Sequence, residues 1–172
     1  GMIGVVTIKN CIAYANGYLE DGTLAGNGNG FKMGGESLSG KHILENSVAY
    51  DNKAKGIDSN SCPDIVVKNC ISFNNGLYNV AVYTNTAANT DFDVNGVISF
   101  RSAADEANYT VGENIKPKGT QSDAKLYSGV NYYWNAEAKQ SMNNAGNVVS
   151  ADWFKSLDTE ILPTRNADGT IN

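Results

Sequence analysis

The chain has 172 residues, 41% of them hydrophobic and 18% charged, with 18 Gly and 3 Pro. That mixture excludes a disordered chain, which needs high charge, and a coiled coil, which needs Leu, Glu and Lys. A formal charge of −5 without a Lys/Arg cluster argues against a nucleic-acid partner, because such binding neutralises phosphates, and no apolar run approaches the roughly 18 residues of a membrane span.

Residues 6–16 form the first predicted element, and its pattern returns in residues 42–52, 65–75 and 92–102, with a faint fifth copy at 129–133. The central positions are Asn10, Asn46, Asn69 and Gly96, spaced 36, 23 and 27 residues apart. Periods in this range mean solenoids or propellers. The shortest step is too short for a propeller blade, and leucine is too sparse for a leucine-rich repeat. The spacing therefore predicts an all-β fold, a right-handed parallel β-helix of about five to six coils, with the longer steps absorbed by loops inserted at a turn. A β-sandwich gives no reason for columns in register.

The repeat has a physical pattern. Ile8, Leu44, Val67 and Val94 make one aliphatic column, Ile12, Val48, Ile71 and Ile98 a second, and Tyr14, Tyr50, Phe73 and Phe100 an aromatic stack. Lys9, Glu45 and Lys68 then point outward by strand alternation. Asn10, Asn46 and Asn69 mark a sharp bend with left-handed φ, which Gly96 also accepts, and their stacked amides are expected to form a ladder. Cys11 and Cys70 hold equivalent positions two coils apart, beyond disulfide reach, and read as small filler near the core. Cys62 has no assignment.

After each Asn comes another short strand, around Phe31-Lys32, Ile57-Asp58 and Val80-Ala81. With Phe31, Ile57 and Val80 facing in, Lys32, Asp58 and Ala81 form one outward column. Glycines crowd Lys32 on both sides, and bare backbone there would let a bulky ligand approach it. The plain alternative is a surface lysine paired with Asp58. Farther on, residues 116–119 read as a loop, and Ser150 is expected to cap a short helix through Trp153, Phe154 and Leu157 that covers the last coil. Residues 158–172 are expected to run extended along the coil. One domain results, with coils in 3–140 and a carboxyl-terminal cap and tail in 141–172.

The stretch Asn29-Gly30-Phe31-Lys32-Met33-Gly34-Gly35, preceded by the Asn10 repeat and followed by Lys55-Gly56-Ile57-Asp58-Ser59-Asn60, resembles polysaccharide lyase family 9, the β-helical pectate lyases. The tail, with Ser156-Leu157-Asp158-Thr159, Pro163, Arg165, Asp168 and Gly169, is similar to that family's carboxyl-terminal segment. The resemblance implies β-elimination of polygalacturonate with Lys32 as the catalytic base, and Asn29, Lys55, Asp58 and Asn60 as candidate substrate-binding residues. It implies Ca²⁺ as cofactor, yet the aspartate cluster expected one coil before the lysine has no counterpart here, since Asp21 is the sole aspartate upstream of Lys32. The chain then reads as a carboxyl-terminal piece of a longer lyase whose calcium ligands lie elsewhere. The resemblance also implies a secreted, periplasmic or cell-surface location. The exposed first coil could drive dimerisation.

Two other functions compete. A β-helical polygalacturonase needs paired carboxylates, and the outward column offers Asp58 alone, with the single histidine, His42, opening an outer strand. A non-catalytic carbohydrate-binding or structural module is the other, with Tyr83, Tyr132 and Trp134 able to stack on sugars.

Overall fold

The computed structural model describes residues 4–119 and 121–172; the predicted first coil residue, Ile3, lies outside the described residues. The first coil comprises β1 (Thr7–Lys9), β2 (Ile12–Tyr14) and β3 (Phe31–Lys32). The second comprises β4 (Ile43–Glu45), β5 (Val48–Tyr50) and β6 (Ile57–Asp58), and the third β7 (Val66–Lys68), β8 (Ile71–Phe73) and β9 (Val80–Tyr83). The fourth comprises β10 (Asp93–Asn95), β11 (Ile98–Phe100) and β12 (Asn114–Lys116). Corresponding strands pair in parallel into three four-stranded sheets, β1-β4-β7-β10, β2-β5-β8-β11 and β3-β6-β9-β12. This is the right-handed parallel β-helix, with four complete three-stranded coils where five to six were expected. The 129–133 copy only begins a fifth: Tyr132 makes an isolated parallel bridge to Ile98.

The registers align the columns. Ile8 pairs with Leu44, Leu44 with Val67 and Val67 with Val94, and the last three are buried in the bore. Asn10, Asn46 and Asn69 have φ of 54°, 48° and 51°, and Gly96 has 70°. Each of these residues turns the chain from the first sheet into the second. There the inward residues are the small ones, Ala13, Ala49, Ser72 and Ser99, in register across the four coils. The second aliphatic column and the aromatic stack therefore lie on the outer face of the second sheet. Tyr14 stacks on Tyr50 at 5.3 Å and Tyr50 on Phe73 at 5.0 Å, nearly parallel. Cys70 is buried, as filler should be, and burial pushes its thiol up to about 11.

The carboxyl-terminal segment explains how that apolar outer face stays dry. Ser150 caps a 3₁₀ turn, Ala151–Trp153, through its Oγ, but the turn does not close the end of the stack. Instead Phe154 packs on Phe100 at 5.0 Å and Leu157 joins the same cluster. The tail then runs back down the sheet until Arg165 Nη1 donates to Asn10 O at 2.7 Å, in the first coil. The far end of the bore is covered by α1 (Asp123–Leu126), which buries Leu126, and by a hairpin of β13 (Tyr133–Asn135) and β14 (Gln140–Met142), which buries Tyr133.

The predicted amide ladder sits elsewhere. At the bend, only Asn69 Nδ2 reaches Asn46 Oδ1, at 3.4 Å, and Asn10 Oδ1 has no partner among the described residues. The ladder forms six residues later, running from Asn16, exposed on the first coil, to buried asparagines inside the bore. Asn16 Nδ2 donates to Asn52 Oδ1 at 2.7 Å, Asn52 Nδ2 to Asn75 Oδ1 at 2.8 Å, and Asn75 Nδ2 to Asn79 Oδ1 at 2.9 Å. Asn79 Nδ2 donates to Ser99 Oγ, whose hydroxyl donates to Glu113 Oε1. Buried amides must be satisfied somewhere, and the bore offers other amides in register.

Candidate functional site

The third sheet carries the predicted site. Lys32 pairs in register with Asp58, and Asp58 with Ala81, so the predicted column exists. Phe31, Ile57 and Val80 face the core beside it. Lys32 is exposed, and no ion pair to it occurs among the described residues.

Asp58 departs from expectation. Strand alternation predicts an exposed neighbour of Lys32, yet its side chain has 0% exposure. Lys55 folds over it, with Nζ 3.1 Å from Oδ2, while Asn29 Nδ2 donates to the same oxygen at 3.2 Å and Asn60 N–H donates to Oδ1 at 2.9 Å. An outward carboxylate beside the apolar coil wall is left with no surface for direct contact with a ligand. The pairing of Lys32 with Asp58, the plain alternative, does not form.

Lys55 also donates to Tyr83 Oη at 3.0 Å, with its ammonium 4.8 Å from the ring centre. Burial works against its charge, but the Tyr83 hydrogen bond and the field and hydrogen bond of Asp58 together outweigh it and hold Lys55 above the ordinary lysine value. Asn29, Lys55, Asp58 and Asn60 are thus brought together as one bonded cluster one coil step from Lys32. Tyr83 belongs to that cluster as well. The sequence signal for it was its place two residues beyond Ala81, on the same face by alternation.

The glycines near Lys32 serve the coil rather than an incoming ligand. A Cβ on Gly30 would stand 2.6 Å from Gly56 O, and one on Gly34 2.3 Å from Cys62 Cβ, so the next coil occupies that space. Cys62, unassigned in sequence, is buried and donates to Asp64 Oδ1 at 3.2 Å. Asp64 also accepts from Ser39 Oγ and from Gly40 and Lys41 N–H, tying down the loop that follows β3. His42 is structural, accepting Val6 N–H on Nδ1.

An open depression of about 250 Å³ lined by Gly34, Gly35, Glu36, Leu38 and His42 lies just past the Lys32 strand. A larger cavity of about 380 Å³ lies at the far end of the stack, against Glu113, Trp134 and Asn143; of the residues singled out in the sequence it holds only Trp134, one of the sugar-stacking candidates, and none of the lyase site residues. Among the described residues no group of three or more His, Cys, Asp or Glu is placed to hold a metal ion. The carboxylate nearest Lys32 in the sheet, Asp58, is enclosed and matched to Lys55. These residues do not fit a calcium site. No described helix is long and apolar enough to cross a membrane.

Residues 2–91 match a family model described as the Pel9A-like right-handed β-helix region. A pectate lyase L of Paenibacillus polymyxa (strain SC2) is 37% identical over 177 aligned residues, which cover 99% of this chain and 34% of that protein. Another, of Thermoclostridium stercorarium, is 44% identical over 103 residues, covering 59% of this chain and 8% of that protein. A crystal structure of pectate lyase Pel9A matches with a TM-score of 0.62 at 28% identity, covering 97% of this chain and 36% of the other. The chain spans about a third of the length of those relatives that match it from end to end.

Proposed function

The chain belongs to the Pel9A-like right-handed β-helix family, and from that premise we propose that it carries the base of a pectate lyase acting on polygalacturonate outside the cell. The observation that supports this reading is the state of Lys32: an exposed amine on a rigid parallel sheet, while the adjacent carboxylate is bonded to Lys55 instead. A base must be free to receive a proton, and Asp58 would oppose that if it paired with Lys32.

In the proposed reaction neutral Lys32 Nζ takes the proton from C5 of a galacturonate unit. The electron pair left on C5 forms the C4–C5 double bond, and the C4–O bond breaks with departure of the glycosidic oxygen. The chain's own contribution is placement: β3 fixes Lys32, and the Asn29–Asp58–Lys55–Tyr83 cluster fixes the polar surface beside it. Calcium of the kind the resemblance implies would need ligands other than those described, and no step is derived through it.

The test is ultraviolet absorbance of the unsaturated product from polygalacturonate, with Ca²⁺ and with a chelator. The protein is expected to generate that signal and Lys32→Ala to abolish it. A Lys32→Ala variant as active as the wild type would overturn the assignment. Saturable binding without any product would favour the carbohydrate-binding alternative.

A further inference from the structure

The cavity of about 380 Å³ beyond the fourth coil is walled by residues 112–113, by the hairpin of β13 and β14 and by the segment that follows α1. Small-molecule sites run from about 300 to about 1,000 Å³, so this one has room for a small ligand and not for a long chain. It shares no residue with the Lys32 strand or the cluster around Asp58.

Much of its wall is already bonded and therefore fixed. Asn131 Oδ1 accepts Val97 N–H at 3.1 Å, and its Nδ2 donates to Val94 O at 2.8 Å and Leu126 O at 3.0 Å. Asn143 Oδ1 accepts the Ala145 and Asn147 N–H groups at 3.0 and 2.9 Å, and its Nδ2 donates to Gly129 O at 2.8 Å. Trp134 is only 3% exposed and its Nε1 donates to Tyr109 O at 2.8 Å, so it frames the cavity without offering a free indole face. Tyr127 and Asn144 differ: among the described residues, neither the Tyr127 hydroxyl nor the Asn144 amide has a partner. Burial, then the charges of Asp123 and Glu113, push the Tyr127 hydroxyl up, so it stays a donor at neutral pH. Its ring meets that of Tyr133 nearly edge-on, at 5.5 Å and 72°. Two rings at that angle make a corner, which fits one sugar ring better than an extended run of them.

Charge narrows the ligand further. Among the described residues that line the cavity there is no lysine, arginine or histidine, and Glu113 is the one charged side chain. Its carboxyl group is already bonded by Val80 N–H at 2.7 Å and by the Ser99 hydroxyl. A ligand carboxylate placed here would face another carboxyl group with no cation to offset it. An uncharged sugar meets no such cost, and its apolar ring face and hydroxyl rim need what the wall supplies, ring surface beside free donors and acceptors.

We propose that this cavity binds an uncharged pyranose, taken as the terminal residue of a glycan, with Tyr127 Oη and the Asn144 amide as its hydrogen-bonding contacts. The site is independent of Lys32 and of the elimination chemistry. It gives the chain a second carbohydrate contact that selects against uronates.

The test is calorimetric titration of the whole chain with methyl galactoside, methyl glucoside and methyl galacturonoside, the last differing from the first in bearing a carboxylate at C6. At least one neutral glycoside is expected to bind saturably, about tenfold tighter than the uronoside. Tyr127→Phe and Asn144→Ala should each weaken that binding about fivefold, the scale of one net hydrogen bond. Neither group has a protein partner to lose, so the urea midpoint should stay unchanged in both variants. Lys32→Ala should leave the affinity as it is. No saturable binding by either neutral glycoside, equal affinity for the uronoside, or unchanged affinity in both variants would each overturn the site. So would a loss of binding in Lys32→Ala, which would move the contact to the third sheet. Product formation by Lys32→Ala decides the lyase reading separately, so either can fail alone.

Discussion

At the scale of single residues, the cluster around Asp58 is the part of the molecule most sensitive to one atom. Asp58 has no exposure and three donors, and among the described residues Lys55 is the only cation paired with it. Breaking a buried pair from one side leaves the other charge uncompensated, at about 3 kcal/mol. Lys55→Met should therefore lower the unfolding free energy by that order in urea titration, and Lys55→Met with Asp58→Asn should recover most of it. If the pair were only a surface contact, the single variant would cost under about 1 kcal/mol. Lys32 and its register partner could be read from strand alternation alone. The burial of Asp58 could not, because it depends on a lysine three residues earlier folding back over the sheet, which no periodicity encodes.

At the scale of elements, the repeat made the first two sheets legible: column membership and the left-handed bend at Asn10, Asn46 and Asn69 follow from it directly. The side of the sheet on which Ile12 and Tyr14 lie did not follow, because the bend resets the alternation and gives the bore to Ala13 and Ala49 instead. The amide ladder runs mainly through a different asparagine from the one at the bend, for a related reason. Both asparagines recur with the repeat, but it is Asn16, Asn52 and Asn75 whose side chains bond from coil to coil, the last two of them buried inside it. Asn75 accepts from the Asn52 side chain and donates to Asn79 with no exposure to water. Asn75→Ala strands both neighbours and should cost about 3 kcal/mol, seen as a lower urea midpoint at unchanged slope. The corresponding Asn69→Ala, at the exposed bend, should cost clearly less.

At the scale of the whole molecule, the ladder ends on a carboxyl group whose titration reaches the global stability. Burial lifts Glu113 from its ordinary 4.5 to about 7, against the opposing pull of the Ser99 and Val80 hydrogen bonds and of Arg101. The folded chain therefore holds a proton that the unfolded chain has released. That contribution is fully present below about 4.5 and is lost as pH rises through about 7. Asp64 acts in the other direction. Burial opposes its charge, but the Ser39 hydroxyl and the Lys41 and Gly40 amides outweigh that and hold it below 3.8, so its contribution is lost in acid. Thermal unfolding should then be most favourable to the fold in mildly acid buffer and decline toward pH 8. Glu113→Gln, which keeps the shape and carries no charge, should flatten the decline between pH 5 and 8. A variant with the same slope as the wild type would show that another group governs it.

The contact between Arg165 and Asn10 joins residues 155 positions apart. A stack whose units touch only their neighbours can fray from either end, one coil at a time. Here the first coil cannot detach without releasing Arg165, and the last cannot without exposing Phe100 to water as Phe154 leaves. These two coils are therefore held partly by each other, through a segment that follows all four coils in the sequence and can dock only when every coil beneath it is in place. Closing so long a loop is slow but adds little entropy cost per extra residue. The tail in this way couples the first described coil to the fourth, so that opening either one also loosens the segment that holds the other.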